Sequence, residues 1–98
     1  MANICKNEFY AYSEDKNNIA TICKFLKDTF GGYVECNDDS IDACFESKWD
    51  FPEVEMDKLF EIIPNKEDIY MRCLSVEYGQ DYIAYWKCED INGWYQEI

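Results

Sequence analysis

The chain has 98 residues, 48% of them hydrophobic and 17% aromatic, which suits one domain spanning residues 1–98 and excludes a disordered chain. Its 21 acidic and nine basic residues give a net charge of −12, which opposes direct binding to nucleic acid or to an anionic membrane. No apolar run approaches the ~20 residues of a membrane helix, and residues 1–7 have no signal-peptide core, so we expect a cytoplasmic protein.

The first half of the chain predicts a strand, a helix and a hairpin. Residues 3–12 have an aromatic-rich strand pattern, and Ser13 or Asp15 can cap the helix that follows. That helix has apolar residues at helical spacing and ends at two glycines, which accept left-handed backbone: Ile19, Ile22, Cys23, Leu26 and Phe30, then Gly31-Gly32. Strands at 33–37 and 41–47 are joined by the turn Asn37-Asp38-Asp39-Ser40.

The second half predicts a helix and two more strands. The helix begins near Asp50, which can form a capping box with Glu53, and stops at Pro64-Asn65. Alternating side chains predict strands at 69–78 and 82–88, joined by a turn at Gly79-Gln80, and Asn92-Gly93 marks one more turn.

The order β-α-β-β-α-β-β predicts an α+β fold of the ferredoxin-like, split βαβ kind. In that arrangement an antiparallel sheet carries both helices on one face. We expect Leu26, Phe45 and Leu59 to be buried together in the core between the helices and the sheet.

Six cysteines are present, at positions 5, 23, 36, 44, 73 and 88, without a CxxC pair. Because no secretion signal is found and the aromatic content is sufficient for a core, we expect reduced thiols. Cys23 falls on an apolar helix face, and Cys36 and Cys44 fall in strand patterns, where a thiol packs as a small apolar group. The sequence therefore predicts that no disulfide stabilises the monomer.

The residue types argue against an enzyme and against a cofactor or metal site. The chain has no histidine, which excludes Ser-His and Cys-His nucleophiles, and Gly31-Gly32 follows a helix, whereas a phosphate loop precedes one. The turn at 37–40 with Asp42 could offer oxygen ligands to calcium, but the glycine and closing glutamate of an EF-hand loop are missing. An RRM-like RNA-binding sheet lacks its basic-glycine-aromatic stretch here, and the net charge opposes it.

The acidic residues concentrate in one part of the chain, since residues 35–61 contain ten acids and two bases, a net charge of −8. A general solubilising surface is one explanation. The other is a binding surface in which ordered carboxylates occupy the place of phosphates in a Lys/Arg groove. For that surface we predict Asp38, Asp39, Asp42 and Glu46, with a second group of Glu53, Glu55 and Asp57.

Three short segments resemble the YubB-type ferredoxin-like proteins of plasmids and phages. They are Asn3-Ile4-Cys5-Lys6-Asn7-Glu8-Phe9 at the start, Phe45-Glu46-Ser47-Lys48-Trp49 followed by Pro52, and Val76-Glu77-Tyr78-Gly79 with Tyr82-Ile83-Ala84-Tyr85. The resemblance implies the ferredoxin-like fold and an origin in a mobile element. It implies no catalytic residues, and the heavy acid load of this chain departs from that family.

A small, acidic, phage-like protein also resembles the DNA-mimic inhibitors of bacterial defence, among them the anti-CRISPR proteins. We therefore predict an inhibitor in the host bacterial cytosol that binds a basic nucleic-acid-binding protein, for example a CRISPR effector, and not nucleic acid or membrane directly. The alternative is a non-catalytic ferredoxin-like accessory or assembly protein with another protein partner. The sequence leaves the oligomeric state and the partner's identity open.

Overall fold

The computed structural model describes residues 4–77, Gly79 and 82–98. Its elements follow in the order β1 (Ile4–Tyr12), α1 (Lys16–Thr29), β2 (Tyr33–Cys36), β3 (Ser40–Lys48), α2 (Glu53–Ile62), β4 (Tyr70–Glu77), β5 (Tyr82–Glu89), a 3-10 turn (Asp90–Asn92) and β6 (Trp94–Gln96). Within these ranges six strands form one antiparallel sheet in the order β2-β3-β1-β4-β5-β6. The α+β class is confirmed. The predicted positions Asn3, Tyr78 and Gln80 lie outside the described residues.

One hydrophobic core lies between the two helices and one face of the sheet. It contains Leu26 of α1, Phe45 of β3 and Leu59 of α2, as predicted, each no more than 4% exposed. Alternation along the strands builds this face, since β1 buries every second residue from Cys5 to Ala11. Aromatic rings stack at its edges, with Phe30 on Phe45 at 4.2 Å and Phe51 on Trp86 at 4.4 Å between ring centroids.

The predicted element order is incomplete, because the chain continues after β5 into the 3-10 turn and β6. The turn at Asn92-Gly93 is present, and Gly93 has a φ of 78°. Trp94 then packs its ring 5.3 Å from Phe51 and donates its indole N–H to the Met56 carbonyl at 2.9 Å. A strand of three residues is too short to show alternation, so this extension of the sheet escapes sequence analysis.

The start of α2 also differs from the prediction. The helix begins at Glu53, and Pro52 stands at its N-cap without a side-chain hydrogen bond. The expected capping box of Asp50 and Glu53 does not form, because the Asp50 N–H donates to the Lys48 carbonyl at 2.8 Å in a tight turn. By contrast, the Asp15 cap of α1 is confirmed, since its carboxylate accepts the Asn17 N–H at 2.9 Å.

The prediction that no disulfide is present is wrong. Cys23 of α1 and Cys36 of β2 form a disulfide with a Cα–Cα distance of 6.4 Å. Both residues stand on the helix side of the sheet, where the edge strand passes beside α1. Cys44 is exposed, not packed as an apolar group, whereas Cys5, Cys73 and Cys88 are free and buried. The bonded cysteines are 13 positions apart in the sequence, a spacing that carries no recognisable motif.

Candidate protein-binding surfaces

The face of the sheet opposite the helices is uncovered in the described chain, and we call it the open face. It presents the alternate residues of each strand, for example Tyr10 of β1, Asp42 of β3 and Arg72 of β4, which lie side by side in register. Charge is unevenly distributed on it. Glu35, Asp42 and Glu46 stand on β2 and β3, whereas β1, β4, β5 and β6 carry most of the tyrosines and bases together with the acids Glu8 and Glu89.

Five carboxylates belong to the β2–β3 hairpin, which we call the acidic hairpin: Glu35, Asp38, Asp39, Asp42 and Glu46. All five are exposed. Glu35 and Asp42 are direct cross-strand partners on the open face. Asp42 and Glu46 share the same face of β3, as predicted, and lie four positions apart, which is about 13 Å along the strand.

The turn of the acidic hairpin is held in place by backbone hydrogen bonds. The Asn37 N–H donates to the Ser40 carbonyl at 2.8 Å, and the Ser13 N–H donates to the Asp39 carbonyl at 3.0 Å. The second bond ties the turn to the segment that follows β1. Asp38 and Asp39 therefore sit on an ordered turn rather than a free loop, so their charges have defined positions.

No carboxylate of the acidic hairpin forms an ion pair among the residues that the structure describes, although Lys6 of β1 is the cross-strand partner of Glu46 on the open face. The one ion pair found in the described part of the chain, Lys24 with Asp28 at 2.8 Å, lies on α1. Within the hairpin, Tyr33 donates its hydroxyl to the Glu35 carboxylate, and this hydrogen bond raises the pKa of Tyr33. The hairpin carboxylates are thus left to interact with solvent or with a cationic partner.

The second predicted group lies elsewhere. Glu53, Glu55 and Asp57 belong to α2, in the helix layer on the other side of the sheet from Asp42 and Glu46. Glu53 and Glu55 line a depression of about 490 Å³ beside Phe51 and Pro52. The structure therefore divides the seven predicted residues into four on the hairpin and three on the helix layer.

A cluster of tyrosines and bases on the open face was not singled out by sequence analysis. The Arg72 guanidinium lies 4.6 Å from the centre of the Tyr10 ring, and the Tyr10 and Tyr70 rings meet edge to face at 6.3 Å. On β5, the Lys87 ammonium lies 5.5 Å from the Tyr85 ring centre. A hydrogen bond with Tyr70 raises the pKa of Arg72. The sequence does contain a sign of this cluster, because Tyr70 and Arg72 are two residues apart in a strand and therefore lie on one face.

We found no metal-binding group in the described ranges, where no three Cys, Asp or Glu residues cluster with suitable geometry. Neither α1 nor α2 is long and apolar enough to cross a membrane. Two buried polar residues interact inside the core, where the Ser75 hydroxyl donates to the Asn7 side-chain oxygen at 2.6 Å.

No family model matches the chain, and neither a curated protein nor a solved structure does. The resemblances to the YubB-type proteins and to DNA-mimic inhibitors therefore stay predictions.

Proposed function

We propose that this chain is a non-catalytic protein-binding module whose acidic hairpin occupies a basic surface that otherwise binds nucleic acid. The observation that carries the proposal is the placement of Glu35 directly opposite Asp42 on an ordered hairpin, where neither carboxylate forms an ion pair with another described residue. Such carboxylates can replace phosphates in charge-assisted hydrogen bonds to arginine and lysine. Long-range attraction from the net charge of −12 would also speed the encounter.

The partner in this proposal is a bacterial nucleic-acid-binding defence protein, with a CRISPR effector as the leading example. Its support is the combination of small size, high acidity and the sequence resemblance to proteins of plasmids and phages. The protein would act as an inhibitor by competing with DNA or RNA. Such action would take place in the host cytosol, where that partner works.

The finer fold assignment is also a proposal. Among the described strands, β2, β3, β1 and β4 are adjacent in that order, and α1 and α2 share one core. This arrangement supports a ferredoxin-like split βαβ unit, with β5, the 3-10 turn and β6 as an extension at one edge. A fold of this kind hosts many functions, so the functional proposal rests on the hairpin and not on the fold.

The test is competition between this protein and DNA for a purified CRISPR effector, followed by fluorescence anisotropy of labelled target DNA. Reversing Asp39, Asp42 and Glu46 to lysine should abolish competition. Reversing Glu53, Glu55 and Asp57 is the matched control, since it changes the net charge equally on the opposite layer. Equal competition by the parent and the hairpin variant would overturn the proposal.

The tyrosine-arginine cluster favours a second candidate, an accessory or assembly protein that binds its partner through the open face. Tyrosine and arginine are enriched among the residues that dominate interface energetics. Salt separates the two candidates, because a complex made by the acidic hairpin should weaken steeply between 50 and 300 mM salt, on the order of tenfold or more, whereas an interface of stacked tyrosines should change little.

A further inference from the structure

The outer edge of β3 is only partly covered. β2 pairs with Ile41–Cys44, whereas β3 continues to Lys48. The chain passes from α1 into β2 through Gly31 and Gly32, which have φ values of 69° and 64°. A Cβ on Gly32 would lie 2.6 Å from the Cys44 carbonyl oxygen, so the glycine allows the close approach at which β2 begins. Residues 45–48, which we call the β3 edge, therefore have no neighbouring strand on their outer side.

The hydrogen-bond pattern shows which main-chain groups of the β3 edge face outward. The Asn37 N–H donates to the Ser40 carbonyl, so Ser40, Asp42 and Cys44 direct their main-chain groups toward β2. Main-chain groups alternate in direction along a strand, so the N–H and carbonyl groups of Glu46 and Lys48 also point away from β1. The Lys48 carbonyl accepts the Asp50 N–H, but in the described chain the Glu46 N–H, the Glu46 carbonyl and the Lys48 N–H have no hydrogen-bond partner.

Depressions lie on both faces of the sheet beside this edge. On the open face, a depression of about 770 Å³ is lined by Glu46, Leu74 and Val76 among others. On the helix side, the depression of about 490 Å³ is lined by Phe51, Pro52 and Val54 among others. An added strand sends successive side chains to opposite faces, so it would fill both depressions alternately while its backbone pairs with β3.

The charge around the β3 edge selects the kind of strand that fits. Acids outnumber bases by five to two among the residues that line the two depressions: Glu8, Glu46, Asp50, Glu53 and Glu55 against Lys6 and Lys48. A second copy of this chain would bring the same acids together across the pairing. A basic segment would instead offset them.

We propose that the β3 edge binds an extended, basic peptide segment of a partner protein as an added strand, with lysine or arginine alternating with aliphatic side chains. The main chain of Glu46 and Lys48 supplies the hydrogen bonds, and the two depressions receive the alternating side chains. This site goes beyond the acidic hairpin, because it recognises backbone as well as charge. It does not depend on the partner's binding nucleic acid.

The probe is the hexapeptide acetyl-Lys-Val-Lys-Val-Lys-Val-amide, added to the full chain and followed by amide hydrogen exchange and calorimetry. We expect exchange at the Glu46 and Lys48 amides to slow by about tenfold or more at saturation, since each gains a hydrogen bond. The Phe45 and Ser47 amides, which face β1, should change little. Unchanged exchange at Glu46, or a concentration-dependent dimer in place of a peptide complex, would overturn the proposal.

Backbone pairing is separated from charge attraction by methylating the peptide nitrogens. Two peptides can be made, each methylated at a different alternate set of amides. The peptide whose methylated amides face β3 should bind about tenfold or more weakly, and the other should bind almost as well as the unmodified peptide. If charge alone drives binding, both methylated peptides should bind as well as the unmodified peptide.

A matched pair of variants tests the protein side. Lys48→Ala removes a base and should bind the basic peptide slightly better, whereas Lys48→Pro also removes the outward N–H and should bind worse. Equal affinity of the two variants would contradict strand addition. Reversing Asp38 and Asp39 on the hairpin turn should leave peptide binding within about threefold of the parent, because neither residue lines the depressions. The hairpin turn and the β3 edge can therefore fail separately, although Glu46 belongs to both the acidic hairpin and the β3 edge.

Discussion

Glu35 and Asp42 face each other across the β2–β3 ladder with both side chains exposed. Like charges in this position repel, and a cross-strand pair changes stability by about 0.2–1 kcal/mol. Neither residue forms an ion pair in the described part of the chain. The pair therefore destabilises the hairpin in the free protein, and a basic partner would remove the repulsion.

Asp42→Asn should raise the free energy of unfolding by about 0.5 kcal/mol in low salt, because the facing charge on Glu35 is no longer opposed. The same change should weaken binding to the basic partner. Urea denaturation at 20 mM and 500 mM salt measures the first effect, which should shrink at high salt. Glu67→Gln, which removes an exposed loop charge, is the control. A destabilised Asp42→Asn would contradict the repulsion.

The Cys23–Cys36 disulfide should contribute to the free energy of unfolding. Closing a loop of 13 residues stabilises the fold by about 2–4 kcal/mol, so Cys23→Ser and Cys36→Ser should each lower the free energy of unfolding by that amount. The double variant should cost no more than either single one, because one bond is lost in each case. Reductant should bring the parent to the level of the variants in urea denaturation. The exposed thiol of Cys44 is the control, and Cys44→Ser should change stability by less than about 0.5 kcal/mol.

The periodic parts of the fold are predictable from the sequence because burial alternates with the geometry of each element. Leu26 and Leu59 mark helical stripes that do reach the core, and Phe45 marks the buried face of β3. The parts that escaped prediction depend on contacts between distant residues. Trp94 joins the core through Met56 and Phe51, and Cys23 meets Cys36 because an edge strand passes beside α1.

The candidate site shows the same division. Alternation placed Asp42 and Glu46 on one polar face, and the structure has both there. Glu53, only seven residues beyond Glu46, lies in the other layer because the chain turns at Trp49, whose φ is 73°. Acidic residues that are close together in the sequence therefore need not lie close together on the surface.

Asn18 is fully buried on α1 and joins the helix to the segment before β4. Its amide nitrogen donates to the carbonyls of Asn65 and Asp68 at 2.8 and 2.9 Å, and its oxygen accepts the Asn65 N–H at 2.9 Å. Asn18→Leu should lower the free energy of unfolding by at least about 2 kcal/mol, because these main-chain groups lose their partner. Asn17→Leu, the same substitution at the exposed neighbouring position, should change it by about 0.5 kcal/mol or less in the same denaturation experiment.

The buried thiols predict a loss of stability in alkali. Burial raises the pKa of Cys73 to about 12, and burial does the same for Cys88. The unfolded chain releases these protons near the ordinary thiol pKa of 9.0, whereas the folded chain holds them. A pKa that is raised on folding stabilises the protein fully below the unfolded value, and this contribution is lost as the pH rises toward the folded value. Stability should therefore fall between about pH 9 and 12.

The variant Cys73→Ala isolates this contribution from the titration of lysines and tyrosines. At pH 8 the parent should be the more stable protein, because alanine leaves a cavity in the core. Above pH 9 the difference between the two proteins should shrink by about 1.4 kcal/mol per pH unit, the free energy of one proton bound differently in the folded and unfolded states. Urea denaturation at pH 8, 9 and 10 measures it. A difference that stays constant over this range would show that Cys73 loses its proton as easily in the folded chain as in the unfolded one, and its burial would then have no effect on its pKa.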